Sequence, residues 1–188
     1  MLIETDRLVI RRFSSSDWKD IYEYLSQEQV VKYEPYGVLT DLECKKEAAI
    51  RSMNKAFLAV CLKGSCKLIG NLYFAEQEPK EFATWELGYV FNPIYYGKGY
   101  ATESCRAIID HGFKYLKVRR VVAMCNPDNI SSWKLLERLK MRQEGHLLKN
   151  IYFKVDENGK PIWNDTYEYA ILADEWIPLA LREECIYV

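Results

Sequence analysis

Residues 85–91, Trp-Glu-Leu-Gly-Tyr-Val-Phe, form an apolar run of strand length. Past residue 100 the apolar positions fall instead at helical spacing: Ala101, Cys105, Ile108, Ile109, Gly112 and Leu116. The change of period predicts a strand, a glycine-bearing loop over 92–99 and a helix reaching about Leu116. Residues 120–125 read as the next strand. Strand, helix and strand over this length make a βαβ unit, so these two strands are expected to be parallel.

The flanking segments follow the same logic. Alternation over 7–13 predicts a first strand. Ser14-Ser15-Ser16-Asp17 offers helix caps, and Trp18, Ile21, Tyr22 and Leu25 follow at helical spacing. An aromatic loop is expected over 30–37, and Thr40 with Glu43 makes a capping box that opens a second helix. Runs 57–62 and 68–74 predict a hairpin across Lys63-Gly64-Ser65. After the turn residues Asn126-Pro127-Asp128-Asn129, a short helix is expected over 130–139. Runs 147–155 and 166–172 alternate as strands around Asn158-Gly159, a hairpin signal, and 173–182 is expected to cap the domain. The sum is an α+β (α/β) fold: a mixed, mostly antiparallel sheet with one parallel pair and helices on its faces. No repeat or linker interrupts it, so one domain is expected over 1–188.

Composition narrows the partners. At 188 residues, 49% hydrophobic and 28% charged, the chain suits one well-buried globular domain. A formal net charge of -1 makes no electrostatic case for nucleic acid, so Arg11-Arg12 and Arg119-Arg120 read as solubility devices at strand edges. No apolar run reaches membrane-span length and no signal-peptide pattern opens the chain, which points to the cytoplasm. Six cysteines without a CxxC pair read as free thiols, mostly buried. Two histidines, His111 and His146, with no Cys/His cluster, argue against a metal site. His146 reads as a satisfied strand histidine.

The loop carries the chemistry. Free N–H groups and the positive end of the helix dipole meet at its junction with the helix, where Gly97 and Gly99 let an anion approach the backbone. That predicts a cradle for a phosphate-bearing cofactor. A nucleotide P-loop is excluded on spacing, because Gly97-Lys98-Gly99 is not followed by Lys-Ser/Thr.

Tyr96-Gly97-Lys98-Gly99-Tyr100-Ala101 at this junction, followed after a strand by Asn129-Ile130-Ser131-Ser132, resembles the GNAT N-acetyltransferases. With Tyr96 where many members carry Gln or Arg, it is similar to the RimJ/RimL-type branch, which acetylates N-termini of ribosomal proteins. The resemblance implies acetyl-CoA as co-substrate. It implies that the amides of Gly97, Lys98, Gly99, Tyr100, Ala101 and Thr102 hold the pyrophosphate, with Tyr96 also among the cofactor contacts. Val90 and Phe91 would pair with the pantetheine arm where the two parallel strands splay apart, and Asn129 would touch that arm. As an N-cap, Asn129 satisfies the same sequence.

The acceptor implied is a primary amine, either a peptide N-terminus or a small molecule such as a polyamine or an aminoglycoside. A neutral amine must attack, which a lysine of pKa near 10.4 resists at neutral pH and an α-amine near 7.7–8.0 does not. The oxyanion that forms calls for a preorganised donor, most simply a strand-end N–H near Val90. In much of the family a tyrosine protonates the leaving thiolate from a position that is Leu136 here. The resemblance then puts the acid on Ser132, one turn before Leu135 and Leu136, although a helix-start serine can also simply bond its own backbone. Glu86 is the candidate base, with a solvent-facing strand carboxylate as the alternative. The branch's late glutamate has no counterpart around Lys149-Asn150-Ile151. Glu34 and Tyr36 in the aromatic loop, and Tyr152 in the late hairpin, are the expected acceptor contacts. Glu103 reads as a first-turn acid that complements the helix dipole. Lys134 and Arg138 either meet the 3′-phosphate or form a solvated basic face. A CoA-binding regulator or sensor that has lost its chemistry is the alternative function. The resemblance admits a homodimer, and oligomeric state is not legible in the residues.

Overall fold

Eight strands form one sheet in the structure, a computed structural model that describes residues 1–176. In chain order they are β1 (Leu2–Glu4), β2 (Leu8–Arg12), β3 (Phe57–Leu62), β4 (Leu68–Glu76), β5 (Thr84–Phe91), β6 (Arg120–Cys125), β7 (Arg142–Val155) and β8 (Pro161–Leu172). Their spatial order is β1-β2-β3-β4-β5-β6-β8-β7. Every neighbouring pair is antiparallel except β5 and β6, which are parallel as the βαβ reading requires.

Five α-helices are set between these strands in the described residues: α1 (Trp18–Leu25), α2 (Glu28–Val31), α3 (Asp41–Met53), α4 (Tyr100–Tyr115) and α5 (Ile130–Arg138). The capping box opens α3: the Glu43 amide donates to Thr40 Oγ1 at 3.3 Å, and the Thr40 amide donates to Glu43 Oε2 at 2.8 Å. Strand alternation divides the core. Leu58 and Val60 of β3 pack with Cys105, Ile108 and Ile109 of α4 and with Leu135 and Leu136 of α5. Ala59 and Cys61 point the other way, toward Ile21, Tyr24 and Leu25 of α1 and Cys44 and Ala48 of α3. The sheet is thus covered on both faces, which is why its middle strands read as apolar runs. Burying each of these leucines and isoleucines contributes about 1.5–3 kcal/mol.

Several expectations needed correction. β1 and α2 are too short to show a period, and α2 takes Val30 and Val31 from the expected loop. β7 and β8 begin at Arg142 and Pro161, earlier than 147 and 166; β7 lies at the edge of the sheet and its exposed residues do not alternate. The basic pairs are not edge devices. Arg11 lies on β2, flanked by β1 and β3, and forms two 2.8 Å bonds to the buried carboxylate of Asp17. Arg120 pairs with Glu144 and Glu168. Cys44, Cys61, Cys105 and Cys125 are buried free thiols, and Cys66 is exposed. Cys185 and residues 177–182 of the expected cap lie outside the described residues.

Candidate active site

The parallel pair parts at its carboxyl end. β5 and β6 are in register at Thr84–Arg120, Trp85–Val121 and Glu86–Val122, and the ladder ends there. β5 continues to Phe91 paired only with β4. A cleft of about 1680 Å³ opens at the parting, lined by residues 87–91 on one side and by Met124, Cys125 and Asn126 on the other. Side chains from both faces of the sheet reach it. Tyr89 packs with the α4/α5 core and Val90 with the α1/α3 core, so the cleft is a slot through the sheet.

The glycine loop closes one end of this slot. Asn92 is buried, accepts the Ile94 amide at 3.1 Å and donates to Glu23 at 3.2 Å, which fixes where β5 stops. Gly97 and Gly99 have φ of +73° and +79°, a region that side chains disfavour. Gly99 is the N-cap of α4, so the amides of the first turn point outward without intrahelical acceptors. Tyr96, Gly97, Gly99, Tyr100, Ala101 and Thr102 line the cleft with Val90 and Phe91. Lys98 does not; its ammonium stands 5.4 Å from the Tyr95 ring. Arg138 lines the cleft and Lys134 does not.

α5 brings Asn129 and Ser132 to the same wall. Asn129 Oδ1 accepts from the Ser132 amide at 3.3 Å and from Ser131 Oγ at 3.0 Å, so the residue is an N-cap that also lines the cleft. Ser132 Oγ is 2.9 Å from the Tyr89 hydroxyl, which donates to the Ser132 carbonyl at 3.0 Å. Burial holds Tyr89 well above its ordinary pKa. Burial also lifts the neighbouring Cys125 thiol to about 11, while its bond with Ser132 works in the opposite direction. Sequence reasoning missed Tyr89. The available signal was strand alternation, which puts it on one face with Leu87 and Phe91 and toward α5.

The acceptor candidates lie at another part of the slot. Burial pushes the Glu34 carboxyl up to about 7, opposed by a hydrogen bond with Tyr36 and by the charge of Arg51. Arg51 is fully buried, donates to Glu47 at 2.7 Å and lies 4.8 Å over the Phe57 ring. Glu86 is half-buried, is pushed up by burial, and accepts from Gln77 Nε2 at 3.0 Å. It lines the cleft. Tyr152 is not brought to the site. It stacks edge-on against Trp163, both about half exposed, while its neighbours Ile151 and Phe153 line the cleft. His146 is bonded to Asp165 at 2.9 Å. Among the described residues no group of three or more His, Cys, Asp or Glu side chains is placed to hold a metal. No helix among them is long and apolar enough to cross a membrane.

The family model for the acetyltransferase (GNAT) domain matches residues 7–142. The chain belongs to the GNAT acetyltransferases. It is 41% identical over 180 residues to the uncharacterized N-acetyltransferase YnaD of Bacillus subtilis, covering 94% of this chain and 99% of that one. The structure of a GNAT-family acetyltransferase from Bacillus anthracis is 38% identical, with a TM-score of 0.84 over 93% of this chain and 100% of that one. The ribosomal-protein-S5-alanine acetyltransferase of Vibrio fischeri shares the fold at 24% identity, with a TM-score of 0.75 over 94% of this chain and 98% of that one. Within this GNAT chain, Leu136 is fully buried in the core and presents no hydroxyl where much of the family has tyrosine. Among the tyrosines that line the slot, Tyr89 is the one bonded to Ser132.

Proposed function

We propose that this protein transfers the acetyl group of acetyl-CoA to a primary amine by direct attack in a ternary complex. The observation that carries the reading is the slot. It joins an anion-receptive loop to two carboxylates, Glu34 and Glu86, through a gap between parallel strands. Its residues fit acetyl-CoA. Two left-handed glycines and the free amides of residues 100–102 suit a pyrophosphate, and the edge of β5 at Val90 and Phe91, released from β6, suits the amide-bearing pantetheine arm. Asn129 spends its oxygen on the cap and keeps its amide nitrogen for that arm. Acetyl-CoA supplies an activated thioester and a thiol leaving group.

The chain's own groups divide the remaining work. In this reading a strand N–H near Val90 binds the developing oxyanion. Ser132 is the proton donor at the leaving side, and Tyr89 holds its oxygen. Glu34 attracts the cationic acceptor, and Glu86 takes its proton. Tyr36 forms part of the acceptor wall. Spacing from Tyr96 through Ala101 and from Asn129 to Ser132 favours the RimJ/RimL-type branch, hence an α-amine, which needs less deprotonation than a lysine.

Acetyl-CoA turnover with a panel of peptides, polyamines and aminoglycosides, read as thiol release, tests this. The expected result is turnover with at least one amine class. Tight acetyl-CoA binding without turnover on any acceptor favours a sensor and sinks the enzyme reading.

A further inference from the structure

An anion cradle at a helix start is compromised when the first helical turn carries a carboxylate. Glu103 is such a carboxylate, and it lines the same cleft as Gly99 and Tyr100. It complements the helix dipole, yet it would repel a phosphate bound in the same field.

The structure sets Arg7 against it. Arg7 Nε donates to Glu103 Oε2 at 2.7 Å, and the Arg7 amide and Thr5 Oγ1 donate to Oε1 at 3.1 and 2.6 Å. The same guanidinium donates through Nη1 to the Lys98 carbonyl at 2.9 Å, between the two glycines. It also lies 4.6 Å from the Tyr100 ring centre. A tight turn presents Arg7 there: the Thr5 amide donates to the Leu8 carbonyl and the Leu8 amide to Thr5 Oγ1, both at 3.0 Å. One side chain from the start of the chain therefore holds the loop, the first helical turn and its carboxylate. A planar fork can serve all three, whereas an ammonium cannot.

We propose that Arg7 is a positioning residue for the cofactor's phosphates, cancelling the Glu103 charge so that the start of α4 stays receptive to an anion. The inference rests on the acetyl-CoA reading above. Burial raises Glu103, and its bonds from Thr5 and Arg7 outweigh that and hold it below the usual carboxylate range. The charge to be cancelled is therefore present at neutral pH.

The test is CoA affinity by calorimetry for wild type, Arg7→Met, Glu103→Gln and the double variant, at low and raised salt, with thermal unfolding alongside. Arg7→Met is expected to weaken binding about ten- to thirtyfold, the scale of a charge at a partly buried helix start. The gap should narrow as salt screens the carboxylate that Arg7 no longer covers. Adding Glu103→Gln should restore most of the loss, which relief of a folding defect would not do. Arg7→Lys, which keeps the charge, should fall between wild type and Arg7→Met, and it stands in if Arg7→Met does not fold. Wild-type affinity in Arg7→Met, or no recovery in the double variant, overturns the proposal. A wild type that binds no CoA at all brings down the acetyl-CoA reading itself.

Discussion

The Tyr89 hydroxyl lies 2.9 Å from Ser132 Oγ and donates to the Ser132 carbonyl at 3.0 Å, so a strand and a helix 43 residues apart share one polar contact at the slot. With its proton on that carbonyl, Tyr89 is an acceptor for Ser132 and a brace for α5. Its raised pKa keeps it a neutral phenol across the physiological range. To reach a leaving group, the Ser132 hydroxyl turns away from its bond to Tyr89.

Ser132→Ala is therefore expected to lower kcat about 10²-fold, the lower end for a lost general acid, with acetyl-CoA affinity nearly unchanged. Tyr89→Phe removes the brace and keeps the serine, so its loss should be smaller, about tenfold. Thiol-release kinetics under chemistry-limited conditions compare the two. Full turnover in Ser132→Ala would move the acid to Tyr89 or remove it from the mechanism.

The local part of this site was legible in the residues. The change of period at the loop, the Thr40–Glu43 box and the parallel pair all follow from near-neighbour rules. The contact of Tyr89 with Ser132 did not, because it depends on how far β5 and β6 part after Glu86, which is a tertiary outcome. Tyr152 was misplaced for a related reason. Both faces of β7 around Tyr152 are exposed, so no burial pattern selects the side that faces the slot, and β7 shifts register between Leu147 and Ile151. Arg11 was misread because its partner Asp17 lies beyond the strand end, in the next element.

Gly99→Ala forces a side chain into the left-handed region and brings a Cβ to 3.4 Å from Arg7 Nη2. The strain is about 1–2 kcal/mol. Because the strained residue is the N-cap that aims the first-turn amides, CoA binding is expected to weaken about tenfold. Gly159→Ala, at φ +76° in the hairpin and clear of neighbours, carries similar strain. It should lower Tm without touching CoA affinity. Equal binding losses in the two variants would mean that the effect is global and that the loop is not the cradle.

Leu136→Ala tests whether the family's tyrosine position has become structural. The side chain is fully buried with Leu135 and Leu139 in the α4/α5 core. Denaturant unfolding should show a loss of about 2–5 kcal/mol. With the fold intact at low temperature, kcat should stay within a few-fold of wild type, far from the loss predicted for Ser132→Ala. A drop as large as that one, in folded protein, would return this position to the chemistry.

Glu34 sets a pH dependence whose sign can be worked out. Burial lifts its pKa from the ordinary 4.5 to about 7 against the opposing Tyr36 bond and Arg51 charge, so the group is largely neutral at pH 6 and ionised at pH 8. Only the ionised form attracts a cation, so KM for a cationic acceptor is expected to fall as pH rises through about 7. Glu34→Gln should flatten that limb. Stability runs the opposite way. A raised folded pKa contributes stability that is full below about 4.5 and is lost as pH rises through about 7. Relative to wild type, Glu34→Gln should therefore have a higher Tm at pH 8 than at pH 5. Arg51 opposes the rise, so a folded Arg51→Met protein should shift the KM limb to higher pH. Should the limb persist in Glu34→Gln, the titrating group lies elsewhere in the slot, and Glu86, also raised by burial, is the next residue to substitute.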